Sequence, residues 1–214
     1  MIWLTRHGET TWNLAGRYQG RLESALSPLG IRQASALAEH FAAQAERGER
    51  GPRRIVSSPL ERCTQTARAT ARRLGLDVET DDRLIEIAHG KWEGRVKSEL
   101  ARSDSERYLQ WSDDPARVVF PGGESLADVA LRWDAAALEF ARDPRDMLVV
   151  THDAVIRCAL LTAQGRSFDD FWDVQVENGA YAVMSVDDGR LTLWRECVAD
   201  FLGELRSRPA LQAL

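Results

Sequence analysis

Short apolar, β-branched runs alternate with longer segments of helical period along this sequence, and that alternation predicts an α/β layer fold. Length and composition agree. At 214 residues the chain has the size of one domain and can bury a sizeable core. Its 44% apolar and 29% charged residues match an ordinary soluble globular protein.

The elements follow in order. Ile2-Trp3-Leu4-Thr5 reads as a first buried strand. From Leu29, the positions Ile31, Ala34, Leu37, Phe41 and Ala45 step by three and four, which marks a helix face. QAERGERGPR, from Gln44, is a polar turn, and Ile55-Val56-Ser57 a short strand. Ser58-Pro59-Leu60-Glu61 has the form of a capping box with Pro at the first helical position. The helix it opens is expected to stop at Gly75. Val78 lies in a third strand. Residues 96–123 read as polar helix, then loop, ending in Pro121-Gly122-Gly123. Leu126, Val129, Trp133, Ala137 and Phe140 mark a long helix, and residues 147–150 form the most apolar strand. A helix carrying Val155, Ile156, Ala159 and Leu160 follows His152 and stops near Gly165. Two last strands, split by Asp187-Asp188-Gly189, read as a hairpin.

Charge and composition exclude several function classes. Twenty-eight Lys+Arg against 33 Asp+Glu give a net charge of −5, with no basic block, so general nucleic-acid binding is not expected. No apolar run approaches the length of a membrane span. MIWLTRHGE enters a strand at once, without the regions of a signal peptide. Cys63, Cys158 and Cys197 form no CxxC pair, and so sparse a set suits a reducing, cytoplasmic setting.

Histidine is scarce: His7, His40, His89 and His152 are the complete set. His7 and His152 each follow a predicted strand, where the carboxyl ends of a parallel sheet line a ligand crevice. Arg6 precedes His7, and Arg62 lies in the first turns of the helix after the second strand. Two guanidiniums and two imidazoles on one rim suit a compact dianion, since the Arg fork matches phosphate oxygens. A neutral imidazole is also a nucleophile that can carry a phosphoryl group. The pattern alone defines an anion site at strand ends; structural histidines on loops are the competing reading.

The residues also resemble a family. Leu4-Thr5-Arg6-His7-Gly8-Glu9-Thr10-Thr11-Trp12-Asn13 resembles the opening motif of the histidine phosphatase superfamily, in its phosphoglycerate-mutase-like branch. Ser57-Ser58-Pro59-Leu60-Glu61-Arg62-Cys63-Thr64-Gln65-Thr66-Ala67 resembles the second motif. Leu84-Ile85-Glu86-Ile87 with Gly90-Lys91-Trp92-Glu93-Gly94 resembles the third, Gly123-Glu124-Ser125 a fourth, and Val149-Val150-Thr151-His152 the last. RHG by itself is a weak signal; five motifs in family order, spanning most of the chain, are a strong one.

The resemblance implies a three-layer α/β/α sandwich with a mostly parallel sheet of about six strands, the whole of 1–214 being one domain. Residues 90–123 would form a partial lid. His7 would be the nucleophile. Arg6, Arg62 and His152 would hold the phosphoryl oxygens, with Asn13 at another phosphate-contacting position. Glu86 would be the general acid and then the general base, which needs a pKa near the operating pH. Neither cofactor nor metal is implied, because the guanidiniums take the electrostatic role.

Alternatives stand beside several of these. Glu93 rivals Glu86 as the acid. Glu124 is a candidate substrate contact, or simple helix N-terminal chemistry. His89 is a candidate substrate contact or a surface residue, and His40 is structural or exposed. Trp12, Trp92 and Trp133 read as packing, and Asn178 as a site neighbour or an Asn-Gly turn. One departure is evident: the family usually has a small residue after the second His, and here stands Asp153. It is expected to cap the following helix, or else to select against bulky acidic substrates.

The expected activity is hydrolysis of a small phosphomonoester, because the middle region is short and the tail after Phe201 brief. A cofactor-dependent phosphoglycerate mutase and a non-catalytic phosphate-binding protein are the alternatives. The expected partner is the small phosphorylated substrate alone, with no nucleic acid and no membrane, and with room for pairing into a homodimer.

Overall fold

The computed structural model describes residues 1–207 and Gln212. Its sheet has six strands in the order β3-β2-β4-β1-β5-β6: β1 (Ile2–Arg6), β2 (Arg54–Ser57), β3 (Val78–Thr80), β4 (Met147–Thr151), β5 (Tyr181–Asp187) and β6 (Arg190–Val198). The first four run parallel, and the β5–β6 hairpin adds antiparallel to β1. Every residue of β1 and β4 is buried, as expected of strands covered on both faces.

Helices close both faces. Trp3, Ile55, Leu148 and Val150 face α2 (Pro28–Glu46) and α3 (Glu61–Leu74) through Leu37, Phe41, Cys63 and Ala67. Leu4, Val56, Met147 and Val149 face α6 (Leu126–Phe140) and α7 (Asp153–Gln164) through Val129, Trp133, Val155 and Ala159. Alternation along each strand thus sorts its residues between two cores, and the three expected layers result. Gly75 and Gly165 end α3 and α7 in the left-handed conformation, as predicted.

Two local expectations need correction. Ser58 does not cap α3: that helix starts at Glu61, and Leu60 is its N-cap without a side-chain cap bond. The Ser58 hydroxyl lies instead 2.7 Å from His152 Nε2. Asp153 does not cap α7 either, since the N-cap position belongs to His152 and Asp153 is already helical. Its carboxylate turns to two buried arginines, which outcompete backbone amides as partners.

The segment after β1 is held down by a backbone approach. Its short helix α1 (Thr11–Leu14) carries a Thr10–Asn13 capping box. Gly30, in the first turn of α2, packs so closely on the chain at Gly8 and Glu9 that an added Cβ would collide with Glu9 O. Gly30→Ala is therefore expected to lower stability by about 1–3 kcal/mol through overpacking, measured by urea unfolding.

Residues 90–123 include α4 (Lys97–Ser103) and α5 (Ser105–Asp113), packed through Trp92, Leu100, Trp111 and Phe120. Among the described residues, no helix is long and apolar enough to cross a membrane.

Candidate active site

Parallel strands bring distant residues to one edge. Arg6 pairs in register with Thr151 at the carboxyl ends of β1 and β4. His7 N donates to Thr151 O at 3.0 Å, and Ser58 N to Val150 O at 2.9 Å, so the chain leaves three adjacent strands at one level. The rings of His7 and His152 lie 5.2 Å apart, centre to centre.

His7 presents a neutral imidazole. Its Nδ1 lies 2.7 Å from Gly8 O, and a carbonyl can only accept, so Nδ1 carries the proton and Nε2 the lone pair. Burial, then the charges of Arg62 and Arg6, hold its pKa well below the usual histidine value. Asn178 donates to His7 O at 3.1 Å, which makes Asn178 a site neighbour. His152 is likewise held neutral by burial and by the same arginines.

The arginines are buried and directed. Arg62 donates from Nη1 to Leu22 O at 2.8 Å and from Nη2 to Gly20 O at 2.7 Å. Arg6 donates from Nη1 to Val176 O at 3.1 Å and to Asp153, and from Nη2 to Gln212 Oε1 at 2.8 Å. Arg6 Nε and Arg62 Nε, whose charges act on His7, are among the buried donors without an acceptor among the described residues, and so is Nδ2 of Asn13, which Asn178 links to His7 O. Orphaned buried donors are costly and rare, and a cluster of them defines a place for an acceptor.

Glu86 is 5% exposed, and its Oε1 accepts from Ile87 N at 2.9 Å. Burial, with help from Asp153 and against Arg62 and Arg6, pushes its pKa up to about 7. The carboxyl can therefore hold or release a proton near neutrality, as general acid–base work requires.

The other candidates separate. Glu93 accepts from His89 N at 3.0 Å and from Arg21 N at 3.2 Å, a loop clamp. Glu124 accepts from Ala88 N at 2.9 Å and pairs with Arg21 and Arg132, so both its oxygens tie the Glu86 loop to α6. His89 is buried rather than on the surface, between Tyr18 and Phe120 with ring centres 5.0 and 4.6 Å away. Both its ring nitrogens lack partners among the described residues, and burial lowers its pKa to about 3. His40 bonds Tyr181 Oη at 2.8 Å and stacks on Phe201, a structural role. Trp92 and Trp133 are core residues, and Trp12 lies under Arg17.

Beside the site opens a cavity of about 360 Å³. Arg6, Asp153 and Arg157 line it together with Lys97, Tyr108 and Trp111 from residues 90–123. Gln212 reaches it from the tail, accepting from Arg6 and, through its backbone O, from Lys97 Nζ at 2.8 Å. Sequence reading missed Gln212 and the Ser58–His152 contact. It also missed Arg157 beside Asp153, although the spacing of four residues on one helix was a usable signal.

Residues 2–197 match the family described as histidine phosphatase superfamily (branch 1). Phosphoserine phosphatase 1 of Hydrogenobacter thermophilus is 34% identical over 203 residues, covering 94% of this chain and 93% of the relative. The protein named probable phosphoglycerate mutase GpmB in Yersinia pestis is 36% identical over 167 residues, 77% of this chain and 74% of the relative. A crystal structure of an Entamoeba histolytica phosphoserine phosphatase mutant in complex with phosphoserine superposes with a TM-score of 0.81 at 26% identity, covering 94% of this chain and 98% of that one. The chain belongs to the histidine phosphatase superfamily, and its fold is that of the phosphoglycerate-mutase-like proteins in it.

Proposed function

We propose that this protein is a phosphatase that hydrolyses a small phosphomonoester through a phosphohistidine on His7. The observation that carries the reading is the set of Arg6 Nε, Arg62 Nε and Asn13 Nδ2, donors without an acceptor among the described residues, beside a neutral imidazole whose Nε2 carries the lone pair. The phosphoryl oxygens take those donors. His7 Nε2 bonds to phosphorus as the ester P–O bond breaks, and protonated Glu86 gives its proton to the leaving oxygen. Glu86, now a carboxylate, takes a proton from water, whose oxygen bonds to phosphorus as the His7 N–P bond breaks. Phosphate and the starting enzyme result. His152 supports the phosphoryl group and stays neutral. The guanidiniums stabilise the developing charge, so no metal enters, and kcat is expected to be unchanged after dialysis against EDTA.

The general-acid step requires Glu86 to be protonated. With its pKa near 7, kcat/KM for an alkyl phosphate is expected to fall tenfold per pH unit above that value. A profile flat from pH 6 to pH 9 would reject the assignment.

Substrate identity is read from the relatives and the cavity. Two relatives are named for phosphoserine, and Arg6 and Lys97 give the cavity a cationic wall suited to a carboxylated alcohol. A phosphate-release panel led by O-phosphoserine and 3-phosphoglycerate tests this, with neutral sugar phosphates as the contrast.

A mutase is the second reading. It is favoured by the GpmB relative and by Gln212, which brings the tail to Arg6 despite its shortness. Incubation with 3-phosphoglycerate and its bisphosphate separates the two: phosphate release faster than isomerisation supports the phosphatase.

A further inference from the structure

Asp153 stands where the family usually has a small residue, and it is buried against the proposed phosphoryl site. A carboxylate there would repel a dianion if it acted alone. It does not act alone. Its Oδ2 lies 2.8 Å from Arg6 Nη1, and its Oδ1 takes Arg157 Nε, one turn along α7. Arg157 is itself fixed. Its Nη1 donates to Phe171 O at 2.9 Å and to Val174 O, and its guanidinium lies 5.2 Å over the Phe171 ring and 5.3 Å over Trp172.

We infer that Asp153, braced by Arg157, is a positioning residue that aims Arg6 at the reacting phosphoryl group. The inference rests on the reading that Arg6 holds phosphoryl oxygens. A guanidinium is planar, so fixing its Nη ends fixes the direction of its Nε–H. Asp153 and Val176 O hold Nη1, Gln212 holds Nη2, and Nε is left without an acceptor among the described residues. A chain of contacts therefore runs from the backbone at residues 171–174 through Arg157 and Asp153 to Arg6. The buried triad of two cations and one anion keeps a net positive charge, so the carboxylate is compensated at Arg6.

A double-mutant cycle with Arg6→Ala tests this, using p-nitrophenyl phosphate. Asp153→Asn is expected to lower kcat/KM on the order of 10- to 100-fold in the native background, mostly through kcat, as misaimed transition-state contacts do. In the Arg6→Ala background the same change is expected to cost less than about 2-fold, because there is nothing left to aim. A loss equal in both backgrounds, or none in the native one, would overturn the inference. Should Asp153→Asn strand the Arg157 charge and unfold, Asp153→Asn with Arg157→Gln removes both charges, and the same cycle is run on that pair. If the native protein releases no phosphate from any ester, the proposed function fails. The cycle is then read as orthovanadate affinity, with the same expected coupling and the same overturning result.

Discussion

His7→Ala is expected to abolish turnover, with kcat for p-nitrophenyl phosphate falling by at least about 10⁴-fold, the scale seen when an enzyme loses its covalent nucleophile. Gly8 O holds the Nδ1 proton, burial and two arginines keep the ring neutral, and Nε2 is left with a lone pair beside the orphaned donors. No other described nucleophile shares this environment. His152 Nε2 is engaged by Ser58, and burial pushes the Cys63 thiol up, away from the reactive thiolate. The alanine variant should still bind orthovanadate through Arg6, Arg62 and Asn13, so binding and chemistry separate. Steady-state kinetics with a vanadate titration measure both. Turnover near the native rate in His7→Ala would remove the nucleophile assignment.

Glu86→Gln carries the second large effect. Losing a general acid typically costs on the order of 10²–10⁴-fold. The loss should be greatest for alkyl phosphates, whose leaving oxygen needs the proton, and smaller in the first step with p-nitrophenyl phosphate, whose leaving group does not. The same substitution should leave the fold intact or more stable at pH 8. Between pH 4.5, the ordinary glutamate value, and about 7, the unfolded chain releases the Glu86 proton while the folded protein keeps it. Stability contributed by that proton is complete below pH 4.5 and is lost as pH rises through 7. Above that, the native carboxylate costs roughly 3 kcal/mol relative to a neutral isostere, as an upper figure for a buried group. Thermal melts of both proteins at pH 5 and pH 8 check the sign: the variant should gain on the native protein as pH rises.

Much of this is legible in the sequence. Strand and helix periods gave the layers because each face of β1 and β4 meets its own helices, which leaves no polar face to blur the pattern. The motifs point to Arg6, His7, Arg62 and His152 as candidates, and the parallel strands bring their segments to one edge of the sheet. The motif points to Glu86 as a candidate, but its raised pKa follows from burial that no local pattern encodes. Capping rules make Ser58 and Asp153 helix caps because they see only neighbours in sequence. Their partners, His152 and Arg6, lie far away in the chain and close in space. His89 escaped for the same reason: the aromatic walls that bury it come from Tyr18, Trp111 and Phe120.

The central claim is the phosphohistidine, and Glu86→Gln offers the means to catch it. With p-nitrophenyl phosphate the first step needs no acid, while the second lacks its base, so the phosphorylated enzyme should accumulate. The measurement is an alkaline quench, which preserves phosphohistidine, followed by peptide mapping by mass spectrometry. One phosphoryl group per chain is expected on His7, absent when His7→Ala is added. Phosphate on any other residue, or p-nitrophenol released in a steady state without any phosphorylated peptide, would contradict it.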